Sequence, residues 1–578
     1  MLKDIIWLGC WRVKQLSCEC AAVAVFSAGK LECGVWKFPG KDSKMRRLST
    51  RRCIFTLLPR PGYCRLVSAV FALALLSALS RAQDRADYPV NEHHIVYHDV
   101  KVDANGGILP WYSDDPSKAY DHDIRLVWNF WIHMRKCQDG VPYYLQHQVW
   151  RADKDDPRGL GGDQINMALD SWNLLYDYLG DPAVTDNMVL IADYWLDHGM
   201  SGSASLWPNV PFPYNTNVES GQYDGDMRAG KGFLQPDKAG SFGAELVMLY
   251  KKTGNKRYLN AAIKIADTLV ATVTAGDEQH SPWPFRVDAA SGKPAEDKWA
   301  DEDQFADYTT NWTPALRLFD ALCELHRGRT SEYSRVKTLV IRWLTAYPLK
   351  NDKWGPFFED IPTKDYSDTE INADTMAAYL LDHPEFAPNA SALARGILDW
   401  SYNTFANHSF AAIGVVPINE QTRFQVPGNS HTSRHASVEL LYCEKTGSCE
   451  RKDVAIRQLN WATYSVNDDG KDRYPSDDIW LTDGYGDYVR HYLRAMAASP
   501  ELAPDDQNHL LSTSSTIQSI RYSGQMIVYR KFDRSSVEKF KIGRGQPWKI
   551  TGSSMAWEPG ARVLTVHSFA AQVTIYLR

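Results

Sequence analysis

The residues of this 578-residue chain best suited to chemistry are carboxylates set in glycine-containing turns. Asp163 follows the pair Gly161-Gly162 and opens a segment with an apolar stripe. Asp224 and Asp226 flank Gly225, and the nearby Arg228 would keep a carboxylate ionised. Asp301, Glu302 and Asp303 precede the run Tyr308 to Trp312, and Asp368, Glu370, Asn372 and Asp374 gather before another apolar stripe. Cleavage of a glycosidic bond needs two such groups, one protonated as general acid, the other ionised as base or nucleophile. Asp163 and Asp226 are the first candidates, with Asp303 and Asp374 next. Each also has a structural reading: Asp163 as a helix N-cap, Asp224 and Asp226 as solvated turn residues.

A second cluster suits different chemistry. His431 and Arg434 lie close to Asn429, and Tyr485 stands between Asp483 and Asp487. β-Elimination on a uronate polymer uses a His or Tyr base, with an Arg or Asn to neutralise the carboxylate. Stitching a loop to the helical body is the structural alternative. Seventeen of the 20 tryptophans follow residue 82. Trp207, Trp283, Trp312 and Trp354 sit in or beside long Pro- and Gly-containing loops and are candidate platforms for a sugar ring. Asn215, Asn217, Glu219, Asp224 and Asp226 place oxygen donors in one loop, so calcium is a weak candidate. Their spacing departs from the helix-loop-helix calcium pattern. No C-x-x-C zinc pattern follows residue 82, and His93, His94 and His98 read as a polar lead segment rather than metal ligands. No cofactor is expected. Nucleophile-elbow, zinc-helix, Walker and dinucleotide-binding motifs are absent from the same region.

These candidates need elements to hold them, and the sequence repeats. Leu175-Tyr176 to Gly180-Asp181 recurs as Leu249-Tyr250 to Gly254-Asn255, and Gly328 falls at the same interval again. Gly447 ends a fourth, irregular copy. Each unit reads as two helices. Ile165, Leu169, Trp172, Tyr176 and Leu179 form one apolar stripe. The glycine suits a left-handed C-cap, and the Asp or Asn after it would cap the next helix. Inner helices are expected to begin near Asp121, Asp163, Ala239, Thr309, Asp374 and Thr432, with a further helix near Asp483 closing the ring.

On hairpin period and loop character, residues 115–500 resemble the (α/α)6 toroids of six-hairpin glycosidases and toroidal polysaccharide lyases. The resemblance implies a mainly α fold, a carbohydrate substrate and a cleft at the loop-bearing end of the ring. Three functions follow as expectations: a glycoside hydrolase, with a polysaccharide lyase and a non-catalytic glycan-binding toroid as alternatives. Such folds also host unrelated chemistry.

The flanks differ from the toroid. Residues 1–82 carry 14 Lys+Arg against 4 Asp+Glu, leaving 50 against 66 for the rest. That acidic body argues against a nucleic-acid partner. The apolar run Leu66 to Leu79, after six arginines and before Ser80-Arg81-Ala82, reads as a secretory signal peptide, with the true start expected at Met45. It is too short for a comfortable membrane span, so a secreted or periplasmic chain without stable membrane insertion is expected. An uncleaved anchor is the alternative. Cys443 and Cys449 read as a disulfide or as two buried thiols. Residues 83–500 are taken as the toroid. After a linker near Pro504, residues 515–578 alternate as strands and read as a small β-sandwich. That module is expected to cap the toroid, with sugar binding as its alternative.

Overall fold

The computed structural model describes residues 20–27, 30–37, 94–95, 98–146, 161–216, 220–295, 306–357, 366–474, 477–481 and 486–578. Residues 1–83 and 84–578 form two separate units. In the first, strands Cys20–Ser27 and Lys30–Lys37 pair as an antiparallel hairpin. The signal-peptide run Leu66 to Leu79 lies outside the described residues. Among those described, no helix is long and apolar enough to cross a membrane.

The second unit is built from helical hairpins. Its principal helices are α1 (Pro116–Ile132), α2 (Gly162–Leu179), α3 (Pro182–His198), α4 (Pro236–Thr253), α5 (Lys256–Thr272) and α6 (Thr313–Glu324). They continue with α7 (Thr330–Ala346), α8 (Glu370–Asp382), α9 (Ala390–Phe405), α10 (Asn429–Thr446), α11 (Lys452–Thr463) and α12 (Asp487–Ala498). Helices α2, α4, α6, α8, α10 and α12 pack each on the next, and α12 returns to α2. That closes an inner ring of six. Each inner helix is backed by an outer one: α3, α5, α7, α9, α11 and, behind α12, α1. The fold is an (α/α)6 toroid.

The turn chemistry explains the repeat. Gly180, Gly254, Gly328 and Gly447 follow inner helices at φ of +69°, +75°, +68° and +78°, a region open to glycine and costly for residues with a Cβ. Asp181 then accepts from the Ala183 N–H (3.0 Å) and Asn255 from that of Arg257 (3.0 Å), capping the outer helices.

One expected inner helix is misplaced. The helix bearing Asp121 is α1, an outer helix, and the sixth inner helix is α12. The hairpin frame starts with an outer helix, so the last inner helix must borrow its partner from the start of the chain. Tyr120 of α1 accordingly donates to Asn460 of α11 (2.6 Å), near the other end of the toroid sequence.

Eight strands follow: β1 (Asn508–Thr513), β2 (Ile517–Tyr522), β3 (Met526–Lys531), β4 (Ser536–Ile542), β5 (Pro547–Ile550), β6 (Ser553–Glu558), β7 (Val563–Ser568) and β8 (Gln572–Leu577). They form two antiparallel sheets, ordered β1-β4-β7-β6 and β2-β3-β8-β5. Strand β1 begins inside the expected linker because its first residues are buried and paired with β4. The sheets rest on the C-terminal ends of inner helices. His509 stacks on Tyr178 at 3.7 Å, and the buried Lys252 donates to the Ile517 carbonyl (2.9 Å). Cys443 and Cys449 form a disulfide, and Cys137 and Cys323 are half-buried.

Two glycine turns should respond differently to substitution. A Cβ on Gly254 would meet nothing within 4 Å, whereas one on Gly180 would lie 3.1 Å from the Ile520 carbonyl oxygen and 3.3 Å from the Tyr522 ring. Gly254→Ala should cost about 1–2 kcal/mol of backbone strain. Gly180→Ala should cost more, because it also pushes the sandwich off the ring. Chemical denaturation of the two variants checks the order.

Candidate active site

The six inner helices bring their N-termini to one end of the toroid, opposite the sandwich. A cavity of about 610 Å³ runs down the ring axis from there, reaching Ser512 to Ser514 at its far end. Asp163, Asn166, Lys238, Asn311, Asp374 and Arg434 are among its lining residues near that rim.

Asp163 is the second residue of α2, and the N-cap is Gly161. The Gly161 position is tight: a Cβ there would lie 2.4 Å from the Tyr214 hydroxyl and 2.8 Å from Asp163 Oδ1. Small residues before the helix therefore let this carboxylate fold back beside the loop. Asp163 is 6% exposed, and its Oδ1 has no hydrogen-bond partner among the described residues. Burial pushes its carboxyl up, outweighing the nearby Lys238 charge. Lys238 Nζ is held by Asp237 (2.9 Å) and the Phe357 carbonyl (3.1 Å), and lies 3.3 Å from the Phe357 ring centroid. Asn311 donates to the same Asp237 oxygen (2.9 Å).

Asp374 lies one turn into α8. Its Oδ2 bonds His435 Nδ1 (2.8 Å), while its Oδ1 has no partner among the described residues. Burial disfavours charge on His435, but Asp374 and the nearby Glu439 and Glu370 overcome it and raise the imidazole. Asp163 and Asp374 line the same cavity.

The other expected residues have different employment. Asp226 is fully buried, away from the cavity lining. Its Oδ1 accepts from the Arg228 and Ala229 N–H groups (2.8 Å each), its Oδ2 from Gln235 (2.5 Å) and Arg286 (3.2 Å). With both oxygens used, it anchors its loop and has no lone pair directed at a substrate. Asp224 is likewise engaged by Thr216 and Lys231. Asp303, Tyr485 and the loop residues Asn217 and Glu219 lie outside the described residues.

His431 is buried between Glu370 (3.3 Å) and Glu420 (3.5 Å). Burial opposes its charge, but the two carboxylates win and raise it. Arg434 bridges Glu370 (2.6 Å) and Asp487 (2.7 Å). Burial would raise Asp487, yet Arg490 and Arg434 hold it well below the ordinary carboxylate range.

The four tryptophans are not platforms. Trp207 is 4% exposed and Trp283, Trp312 and Trp354 are fully buried in the core. Trp283 packs against Trp312 at 4.9 Å and donates to the Leu269 carbonyl (2.8 Å). Long loops over a helical ring need large apolar anchors, and the indoles supply them. The apolar wall of the cavity is instead Met167, Phe357 and Ile371. Lower down, Asp170, Glu245, Arg317, Arg490, His491 and Arg494 also face the cavity. None was singled out from sequence. The available signal was spacing: Asp170, Glu245 and Arg494 each follow a rim residue of the same helix (Asp163, Lys238 and Asp487) by seven positions, two turns along one face.

Asp226→Ala would leave Arg286 buried without its carboxylate, and should cost about 3–5 kcal/mol of folding stability. Denaturant titration would register this, and an unchanged midpoint would contradict the anchoring role.

No family model and no curated protein matches the chain. Among solved structures, it is similar to a sugar epimerase from a ruminal bacterium, with TM-score 0.47, 11% identity, and coverage of 66% of this chain and 98% of that one. The cellobiose 2-epimerase from Spirochaeta thermophila gives TM-score 0.48 and 10% identity, with 66% and 96% coverage. A family 76 glycoside hydrolase from a bovine Bacteroides thetaiotaomicron strain gives 0.43 and 13%, with 66% and 78% coverage.

Proposed function

We propose that this chain is a secreted glycoside hydrolase in which Asp163 is the general acid and Asp374 the base. The observation that carries this reading is the pairing of two carboxyls in one cavity with opposite environments. Asp163 is pushed up by burial, whereas Asp374 bonds Nδ1 of His435 (2.8 Å), an imidazole that its neighbouring carboxylates raise. Two carboxyls held in unlike surroundings in one cavity fit acid and base roles. In the reaction Asp163 gives its proton to the glycosidic oxygen as the bond to the anomeric carbon breaks. Asp374 takes a proton from the water that attacks that carbon. Export rests on the apolar run Leu66 to Leu79.

The ring supports an inverting outcome. Asp163 and Asp374 stand on the first and fourth inner helices, opposite members of the ring. Neighbouring axes at about 8–10 Å put opposite axes about 16–20 Å apart. With about 5 Å from each axis to its inward side chains, about 6–10 Å remains between the carboxyls. That gap admits a water beside the sugar.

Two of the residues expected for a lyase are held in buried ion pairs, and the third, Tyr485, lies outside the described residues. His431 is buried between Glu370 and Glu420, which raise its imidazole, and Arg434 is engaged by Glu370 and Asp487.

Release of reducing ends from oligosaccharides tests the reading. Asp163→Asn and Asp374→Asn should each lower kcat by about 100- to 10,000-fold. Wild-type rate should fall as pH rises through the elevated Asp163 value, because the acid loses its proton. Full turnover by both variants would overturn the assignment. Ultraviolet absorbance from an unsaturated product would indicate elimination, and glycan binding without product a non-catalytic toroid.

A further inference from the structure

Below the rim, the same cavity carries a belt of charge that the proposed cleavage does not use. Asp170 of α2, Glu245 of α4, Arg317 of α6, and Arg490 and Arg494 of α12 all line it. Asp170 Oδ2 accepts from Arg490 (2.8 Å) and Arg494 (2.6 Å). Burial opposes its charge, but those two arginines hold it down at about 2. Arg317 has no hydrogen-bond or ion-pair partner among the described residues. Glu245 is pushed up to about 8 by burial and by the Asp170 charge, which weakens it as a partner for the arginines. Within the belt three guanidinium groups face Asp170, and Arg490 is also paired with Asp487 (2.5 Å), which leaves Arg317 as the open one among the described residues. Farther along, Lys445 pairs with Asp382 (3.4 Å) and Glu444 with Lys539 (2.6 Å), so the surplus is confined to the belt.

A surplus of positive charge facing a cavity shielded from bulk water attracts anions strongly. A guanidinium presents a planar fork that matches a carboxylate or sulfate. The belt lies two helical turns below Asp163, or about 10 Å. A sugar chain entering from the rim would place a substituent of its leading unit there.

Building on the hydrolase reading, we propose that the belt, with Arg317 as its open contact, is a subsite for an oxyanion borne by the sugar, a carboxylate or a sulfate ester. The enzyme would then act on acidic glycans, with the anionic unit leading into the ring.

Calorimetric titration of the intact protein with glucuronate, glucose 6-sulfate and glucose tests this. These monosaccharides hold no bond to cleave, so the result stands apart from whether Asp163 and Asp374 hydrolyse anything. At least one acidic sugar should bind roughly tenfold more tightly than glucose, as expected for a charge-assisted contact. Whichever is preferred identifies carboxylate or sulfate as the source. Arg317→Gln should abolish the preference, and Arg317→Lys, which keeps the charge but loses the fork, should reduce it. Thermal melting confirms that each variant is folded; if Arg317→Gln is not, Arg317→Lys carries the comparison. Equal binding of all three sugars, binding of none, or an unchanged preference in the folded variant would overturn the proposal.

Discussion

A continuous chain of alternating charges runs through the middle of this protein. It passes from Glu370 to Arg434 (2.6 Å), to Asp487 (2.7 Å), to Arg490 (2.5 Å), to Asp170 (2.8 Å) and ends at Arg494 (2.6 Å). These residues belong to α8, α10, α12 and α2, four successive members of the inner ring. Ions removed from water need partners with good geometry. Apart from Asp487 and Arg490, which share α12, each partner sits on a neighbouring helix, so losing one helix position strands a charge on the next. The rest of the toroid can be hydrophobic and tolerant of variation, but this line fixes the rotation and height of the helices that carry it.

The chain also sorts the polar residues of the ring. Groups within it are tied to one another: Arg434 to Glu370 and Asp487, and Asp487 to Arg490, with His431 beside Glu370. Asp163 and Asp374 stand beside the chain, each with an oxygen unclaimed among the described residues. A carboxyl that is buried but incompletely bonded is costly. Such cost at a cavity wall is common where a protein positions reactive groups. On the same logic, Arg317 differs from Arg490 and Arg494 in having no claimed partner among the described residues.

At the far end the sandwich has a structural role. Lys252 and Asp177 meet there at 3.4 Å, and Lys252 also reaches the Ile517 carbonyl. Burial pushes Asp177 up to about 6 despite the lysine, and it pulls the lysine down. The pair is thus a weak source of stability and a strong source of register between ring and sheet.

The toroid was legible in the sequence because its devices are local. A glycine at positive φ, an Asp or Asn cap and a stripe at helical spacing each depend on a few neighbouring residues, and the regular period repeats them. Asp163 and Asp374 could be named for the same reason: they lie at helix starts, where loops gather. The sequence ranked Asp226 ahead of Asp374 and had no physical ground for that order. Both are carboxylates near a turn, and only the fold shows that Arg286, beyond the next helical hairpin, consumes one while the other faces the axis. Nor could it separate buried tryptophans from sugar platforms, since an indole suits either surface. Assigning α1 to the outer ring required ring closure, a contact between the first and last parts of the toroid sequence. Local pattern by itself determined the helices and their caps. Tertiary structure alone decided which charges neutralise one another and which remain exposed to the cavity, because electrostatic partnership depends on distance in space and leaves no period in the chain.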